Sequence, residues 1–440
     1  MVAKDAGAAG RDAAKAVGAG GGGAYARGMR DPRSVRAAVV AAAVAGVALL
    51  GAAGVVVVAL GGAARAAGAE IREAMAAEKP LERRIGERSY PSVFQAWSAA
   101  DNLKGEDPLA TIARHDLYFS GPGAFGLRWD APHEGLGTDF TPESVDRGHE
   151  MRGRLLALNP NLVLLAEIRY RDAARGFLPD GHTWWARRDG KPVAGWEEGG
   201  YFVLDFGNPE YRRHVAAQCR AAVESGVVDG VLLDWWTEDD DRVALAKAVR
   251  EAIGEKALLL VNANDRQTPR SAPYVNGFFM ECTRSRTAED WRRIAETLAW
   301  AEKNLRPPRT NCLETWFHAS RQDLGLMRAT ATLSLTHSDG YCLFSDPNDL
   351  PKPDHLHDWY GFWDRRLGRP LGPGRRRPDG ATEREFENGT VVYNPMDGAP
   401  VTVTFDAPRA SAATGETARQ HPVPPADGDL FLKAKGDAAP

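Results

Sequence analysis

Five carboxylic acids stand at the ends of short apolar runs in this chain of 440 residues. They are Glu167, Asp234, Glu281, Glu314 and Asp346. An ionised carboxylate at the end of a buried strand is costly unless it is paired or solvated in a cleft. Five such placements therefore predict a cleft built around acids. Two carboxyl groups in such a cleft could act as a proton donor and as a nucleophile or base.

Other catalytic chemistries have less support at these positions. No lysine ends any of the apolar runs, which disfavours a Schiff-base enzyme. His355 and His357 form a His-x-His pair, but it falls in the last helical region, where a polar helix start is a simpler interpretation than a metal site. The four cysteines are too scattered for a zinc site or a disulfide framework. We therefore expect neither a metal ion nor a cofactor.

Tryptophan is concentrated in the same places as the acids. Eight tryptophans fall on the ends of the runs or in the loops after them, namely Trp97, Trp129, Trp184, Trp185, Trp196, Trp235, Trp236 and Trp316. A flat indole can stack on the apolar face of a sugar ring while carboxylates and amides bind its hydroxyl groups, so the combination indicates a carbohydrate site. Because Trp235 and Trp236 are adjacent, they point to opposite sides of a strand, and at most one can face the cleft.

The apolar runs predict the elements that position these side chains. They span residues 92–97, 116–121, 162–168, 230–236, 257–264, 277–283, 310–316 and 341–346. Amphipathic helical patterns separate most of them, and this alternation is typical of parallel strands covered by helices. Eight such strands predict an α/β fold, a (β/α)8 TIM barrel over residues 90–368. Pro269 and Pro273 leave little room for a helix in the fifth connection.

A doubly wound open sheet is the alternative fold. It lacks its main support, because no GxGxxG or GxxxxGK turn follows the first predicted strand. In a barrel the active site lies at the carboxyl ends of the strands, so the acids would meet there.

Beyond Gly368, the sequence predicts a small antiparallel β domain over residues 369–440. The prediction rests on strand-like runs at residues 383–394, 400–405 and 429–433 and on a hairpin signal at Asn388 and Gly389.

The amino-terminal part of the chain has a different character. We expect residues 1–36 to be a disordered, basic and Gly-rich tail. Residues 37–64 are uncharged and consist of Ala, Val, Gly and Leu, which predicts a transmembrane anchor, with a cleaved secretory signal as the alternative. Residues 65–89 would be a linker. The expected location is the cell membrane, with a single span and the barrel outside the cytoplasm, or secretion if the segment is cleaved.

The overall charge excludes one class of partner. The chain has 55 Lys and Arg against 59 Asp and Glu, a formal net charge of −4. Nucleic-acid binding requires a basic excess, so we expect no nucleic-acid partner. The expected partners are a polysaccharide substrate and, through residues 37–64, a membrane.

The fourth predicted strand carries a family resemblance. GVVDGVLLDWW, with the preceding LDFGNPEYRRH, resembles the endo-α-1,4-polygalactosaminidases and the α-galactosidase clan of barrel glycosidases. The runs FQAWSAADNL, HDLYFSG, LLAEIRYRDA and GFFMECT are similar to hypothetical glycosyl hydrolase family 15, over residues 90–435. The resemblance implies a barrel glycosidase in which an acid ending strand 4 and an acid ending strand 6 form the catalytic pair. In this sequence they are Asp234 and Glu281.

The residues themselves favour the same pair. Strands 4 and 6 lie two positions apart around a barrel, so Asp234 and Glu281 could face each other across a glycosidic bond. Glu314 is the alternative acid/base. The expected substrate-binding residues are Glu167, Asp205, Trp235, Asn262, Trp316 and Asp346. The function predicted is hydrolysis of an extracellular or cell-envelope polysaccharide, and the alternative is a non-catalytic carbohydrate-binding protein on the same barrel.

Overall fold

The computed structural model describes residues 78–97, 106–346 and 355–434. The predicted tail, the predicted membrane segment and most of the predicted linker lie outside the described residues. Within the described ranges, no helix has both the length and the apolar character needed to cross a bilayer.

Eight parallel strands form the centre of the molecule, in the order in which they occur along the chain. They are β1 (Phe94–Ala96), β2 (Leu117–Ser120), β3 (Val163–Glu167), β4 (Gly230–Leu233), β5 (Leu258–Asn262), β6 (Gly277–Cys282), β7 (Cys312–Trp316) and β8 (Tyr341–Ser345). A parallel bridge between Val93 and Cys342 joins β8 to β1 and closes the barrel. All eight strands coincide with predicted runs, so the TIM-barrel prediction is confirmed.

Side-chain alternation divides each strand between two cores. Inward residues such as Phe94, Phe119 and Phe279 pack with one another along the barrel axis. Their sequence neighbours, such as Tyr118, Phe278 and Met280, pack outward against the helices. Both faces are buried, which explains why the strands are almost continuously apolar in the sequence. A polar residue at the carboxyl end of a strand therefore faces the axis only when it falls in the inward phase.

Seven α-helices lie in the described ranges. They are α1 (Leu81–Gly86), α2 (Pro108–Ala113), α3 (Pro142–Leu158), α4 (Pro209–Glu224), α5 (Asp240–Ile253), α6 (Ala288–Asn304) and α7 (Leu324–His337). The Asn208 side chain accepts a hydrogen bond from the backbone of Glu210 and caps α4. Thr287 and Asp290 form a reciprocal capping box at the start of α6. No helix separates β5 from β6, as the two prolines of the fifth connection predict.

A buried ion cluster lies at the opposite end of the barrel from the carboxyl ends of the strands. Asp229, immediately before β4, accepts hydrogen bonds from Arg84 of α1 and Arg152 of α3. Both arginines also pair with Glu78. The Asp229 side chain is only 5% exposed. This basal ion cluster ties two helices and a strand together at the end of the barrel that is usually structural.

A six-stranded antiparallel sheet follows the barrel. Its strands are β9 (Arg375–Arg376), β10 (Thr382–Phe386), β11 (Gly389–Asn394), β12 (Val401–Ser411), β13 (Thr417–Val423) and β14 (Asp427–Leu432). The predicted β domain and its β10–β11 hairpin are confirmed, whereas β9 and β13 were not predicted. The sheet packs against α7, most of which is buried. Arg328 of α7 pairs with Asp427 at 2.6 Å, and at Gly428 an added Cβ would lie 1.9 Å from the Thr332 hydroxyl.

Candidate active site

Four of the five predicted acids meet at the carboxyl end of the barrel, which we call the barrel mouth. Glu167 and Glu314 lie in the inward phase of β3 and β7, and Glu281 lies in the inward phase of β6. Asp234 follows the last residue of β4 and continues its inward phase. Their convergence follows from the strand alternation, because each lies an even number of residues beyond an inward-facing apolar residue.

Asn262 connects two of these acids. Its Nδ2 atom donates a hydrogen bond to Oδ1 of Asp234 at 2.8 Å and another to Oε2 of Glu281 at 2.8 Å. Because each oxygen lies 2.8 Å from the same nitrogen, the two oxygens are at most about 5.6 Å apart, twice that length. The backbone N–H of Asn264 donates to Oδ1 of Asn262 at 3.3 Å, which orients the amide so that its nitrogen faces the acids.

The two acids have different proton affinities. The pKa of Glu281 is raised to about 8, chiefly by burial; the charge of His355 lowers it, and the charges of Glu314 and Asp234 raise it. Burial also raises the pKa of Asp234, with the charge of Glu167 adding to the effect, but only to about 6, because hydrogen bonding from Asn262 and the charge of Arg169 favour the ionised form. Near neutral pH, Glu281 is therefore the protonated member of the pair and Asp234 the ionised one.

Glu167 lies near Asp234 and accepts hydrogen bonds from two other side chains. Its Oε2 accepts a hydrogen bond from Nε1 of Trp97 at 2.7 Å and a longer one from Arg169 at 3.4 Å. Arg169 also lies over the ring of Tyr201, 4.7 Å from its centroid. Glu167, Arg169, Asp234 and Trp235 line a small pocket that is open to solvent. The predicted substrate-binding residues Glu167 and Trp235 thus share a pocket with Asp234.

Glu314 is the register partner of Glu281 on the next strand. It is completely buried, and its Oε1 accepts hydrogen bonds from the Ser345 hydroxyl and from Nδ1 of His355 at 2.7 Å. Glu314 makes no direct bond to Asn262. Glu314 therefore lies beside the Asp234–Glu281 pair, but its hydrogen bonds are made with Ser345 and His355.

His355 and His357 do not begin a helix, so that interpretation is wrong. His355 has a backbone φ of +58°, which no α-helix allows, and its ring stacks on Trp97 with 4.9 Å between centroids. Nδ1 of His357 donates a hydrogen bond to the His355 carbonyl at 3.0 Å, and its Nε2 contacts Nε2 of His115 at 2.9 Å. Both histidines are buried; His355 contacts residues of the barrel mouth, whereas His357 packs against His115, which precedes β2. Sequence reasoning missed His355 as a site residue, since the His-x-His spacing was its only signal.

The adjacent tryptophans behave as the strand geometry requires. Trp236 is completely buried and its Nε1 donates to the Ser271 hydroxyl at 3.3 Å. Trp235 is 46% exposed, has a φ of +55°, and carries the guanidinium of Arg171 over its ring at 4.6 Å. The prediction that at most one of them faces the cleft is consistent with this arrangement.

Three predicted binding residues make no hydrogen bond or ion pair with Asp234 or Glu281 among the described residues. Asp205 is exposed on the segment before α4, and in the described ranges no side-chain bond joins it to the acids. Asp346 falls in the outward phase after β8 and pairs with Arg321 at 2.7 Å, which explains why it does not join the other acids. Trp316 ends β7 in the inward phase, opposite Ser345, and is half-buried.

Most of the other loop tryptophans stabilise the loops. Trp129, Trp184 and Trp185 are buried in the outer core. Trp184 and Trp185 belong to the long β3–α4 connection, which contains two short antiparallel strand pairs. These residues pack protein and offer little surface to a sugar. No group of three or more His, Cys, Asp or Glu residues in the described parts of the chain is arranged to hold a metal ion.

No family model matches the chain, and no curated protein matches it. Among solved structures, a noncanonic maltogenic alpha-amylase from Thermotoga neapolitana is similar at 13% identity and a TM-score of 0.48, covering 79% of this chain and 100% of its own. An alpha-amylase from Geobacillus thermoleovorans is similar at 12% identity and a TM-score of 0.48, with the same coverages. A debranching enzyme from Nostoc punctiforme is similar at 12% identity and a TM-score of 0.48, covering 81% of this chain and 99% of its own. None of these TM-scores reaches 0.5, and the barrel assignment rests on the strand order and register described above.

Proposed function

We propose that this protein is a retaining glycoside hydrolase whose catalytic pair is Asp234 and Glu281. The observation that carries the proposal is the shared bond to Nδ2 of Asn262, which keeps the two carboxyl oxygens within about 5.6 Å. Carboxyl groups about 5 to 5.5 Å apart suit retention, because one can attack the sugar directly. Inversion needs about 6.5 to 9.5 Å to leave room for a water molecule.

The proton affinities assign the two roles. Glu281, with a pKa of about 8, carries a proton at neutral pH and would donate it to the glycosidic oxygen. Asp234, with a pKa of about 6, is ionised and would attack the anomeric carbon, forming a glycosyl ester as the leaving alcohol departs. In the second step Glu281, now ionised, would take a proton from water, and the resulting hydroxide would attack the anomeric carbon and release Asp234.

The pocket next to Asp234 would receive the sugar. Trp235 offers a partly exposed indole face, and Glu167 and Arg169 offer polar groups for its hydroxyls. The substrate class is a polysaccharide of the cell surface. The family resemblance at strand 4 favours an α linkage.

A substrate screen tests the proposal. The full-length protein is incubated with soluble polysaccharides of α and β linkage, including neutral, acidic and amino-sugar polymers, and new reducing ends are measured. We expect the wild type to cleave one class of polysaccharide. The control variant Asp397→Asn should cleave it too, because Asp397 lies in the loop after β11 and pairs with Arg292 of α6. Asp234→Asn and Glu281→Gln should not cleave it. Wild-type rates in Asp234→Asn would overturn the proposal, and binding without cleavage by the wild type would support the non-catalytic alternative.

The location is a separate proposal, which the uncharged residues 37–64 support. We propose that the barrel lies outside the cytoplasm, anchored or secreted. Protease added to intact cells should then digest an anchored barrel, whereas a secreted barrel should be detected in the medium. Complete protection of the barrel, with digestion only after cell lysis, would contradict this location.

A further inference from the structure

The segment that begins at His355 reaches into the barrel mouth. The His355 ring lies between three of its walls: Nδ1 bonds Glu314 of β7 at 2.7 Å, one face stacks on Trp97 after β1, and the ring meets Phe279 of β6 edge-on at 5.8 Å. Trp97 in turn donates to Glu167. His355 therefore contacts Glu314 directly and is connected to Glu167 through Trp97. It belongs to neither the catalytic pair nor the sugar pocket.

Charge balance in the mouth depends on His355. Glu281 and Glu314 are register partners on adjacent strands, and Glu314 is completely buried. A buried carboxylate without a cation is strongly unfavourable, and the only ion pair that Glu314 forms with a described residue is with His355. Both hydrogen bonds to Glu314 reach the same oxygen, Oε1. A carboxylate at Glu314 and an imidazolium at His355 would cancel, and among the described residues no cation forms an ion pair with Glu281.

We propose that His355 is a positioning residue for the reaction: as an imidazolium held by Glu314 and Trp97, it balances the Glu314 carboxylate and so lets Glu281 release its proton to the substrate. The inference deepens the proposed function and rests on it for its catalytic meaning. The described charged or titratable groups that face His355 are Glu314 and Glu281 on the barrel and His357 on its own segment. Without the imidazolium, Glu281 would face the uncompensated carboxylate of Glu314 and would hold its proton to a higher pH.

The backbone at His355 selects the variant for the test. A φ of +58° is unfavourable for most side chains but is tolerated by asparagine, so His355→Asn avoids new backbone strain. The asparagine amide also places a donor near the position of Nδ1 while removing the charge. The matched control is His337→Asn, since His337 is a partly buried histidine at the end of α7 whose Nδ1 bonds the Leu333 carbonyl.

The experiment follows the titration of Glu281 by carbon NMR of the full-length protein labelled at glutamate side-chain carboxyls. The Glu281 signal is identified by its loss in Glu281→Gln. His355 affects Glu281 more strongly than Glu314 does, so losing the imidazolium should raise the titration midpoint by about one pH unit. His337→Asn should leave the midpoint unchanged. The same midpoint in His355→Asn and in the wild type would overturn the proposal.

A second measurement needs no variant. Nitrogen NMR of histidine-labelled wild-type protein should show protons on both ring nitrogens of His355 at pH 7, and a neutral His355 ring would overturn the proposal. Neither measurement needs a substrate. If both give the expected result while no polysaccharide is cleaved, the charged pair stands and the proposed hydrolase function fails. If the protein is active, the alkaline limb of its pH profile should move with the NMR midpoint.

Discussion

Asp234 and Glu281 accept hydrogen bonds from one nitrogen atom, Nδ2 of Asn262, at 2.8 Å each. The arrangement follows from strand order, because Asn262 ends β5, the strand between those that carry the two acids. The neutral amide lies between two groups that would otherwise repel each other, and it limits the distance between the two bonded oxygens to about 5.6 Å. Direct attack on the sugar by Asp234 depends on this spacing.

Removing the attacking carboxylate should abolish turnover in a way that an added nucleophile can reverse. We expect Asp234→Gly to lower kcat on the order of 10⁴-fold on a cleaved substrate with a good leaving group. Azide fits the space left by the carboxylate, so it should restore part of the rate and yield a glycosyl azide of inverted configuration. Product analysis by mass spectrometry and proton NMR checks this. An azide-independent rate close to that of the wild type would exclude Asp234 as the nucleophile.

The pH dependence of kcat/KM should be bell-shaped. Activity requires ionised Asp234, so it should fall as the pH drops through about 6, and it requires protonated Glu281, so it should fall as the pH rises through about 8. The maximum should lie between these values. Steady-state rates measured from pH 4 to pH 10 would give the profile. A variant Glu281→Gln should lose the alkaline limb on substrates that need no proton donor, and persistence of that limb would contradict the assignment.

The raised pKa of Glu281 also predicts a stability cost. In the folded state the pKa of this acid is about 8 against an ordinary value of 4.5, so the folded protein binds the proton more tightly and loses stability as the pH rises through that interval. Glu281→Gln removes this effect. We expect the variant to match the wild type near pH 4.5 and to exceed its unfolding free energy by roughly 3 kcal/mol at pH 7. Urea unfolding at both pH values measures the difference. Equal stability at pH 7 would show that Glu281 is not buried as described.

The basal ion cluster should matter for stability and not for catalysis. Burial raises the pKa of Asp229, but Arg152 and Arg84 lower it by more, so the acid stays ionised between two arginines. Asp229→Asn leaves both guanidinium groups under-compensated and should cost about 3 to 5 kcal/mol of unfolding free energy. Denaturant unfolding checks this, with Glu224→Gln at the exposed Arg220 pair as a control that should change little. The folded fraction of Asp229→Asn should keep the wild-type kcat, and a lowered kcat would show that the cluster affects the mouth.

The barrel and most of its acids could be predicted because their signals are local. Each strand is a short apolar run, and Glu167, Asp234, Glu281 and Glu314 lie in the inward phase of theirs. The same rule would have excluded Asp346, which is one residue out of phase. Asn262 could be placed on the strand between the two acids, although its double hydrogen bond depends on the close approach of three strands.

The rest of the site depends on contacts between distant parts of the chain. His355 follows β8 and acquires its place through Glu314 and Trp97, more than 40 and more than 250 residues away. Its positive φ gives no sequence signal, because the residue is not glycine. The pairing of Glu167 with Trp97 likewise joins residues 70 positions apart in the sequence, at the ends of β3 and β1. The loop tryptophans could not be divided between core and cleft, since burial of Trp184 and exposure of Trp235 are set by the fold of the long β3–α4 connection.

The stereochemistry of the first-formed product tests the central claim most directly. On a substrate found by the screen, proton NMR recorded during the first minutes of hydrolysis reports the anomeric configuration before mutarotation. Carboxyl oxygens held within about 5.6 Å by Asn262 predict a product with the configuration of the substrate. A first product of inverted configuration would contradict the account, because it would require a water molecule between the sugar and Asp234.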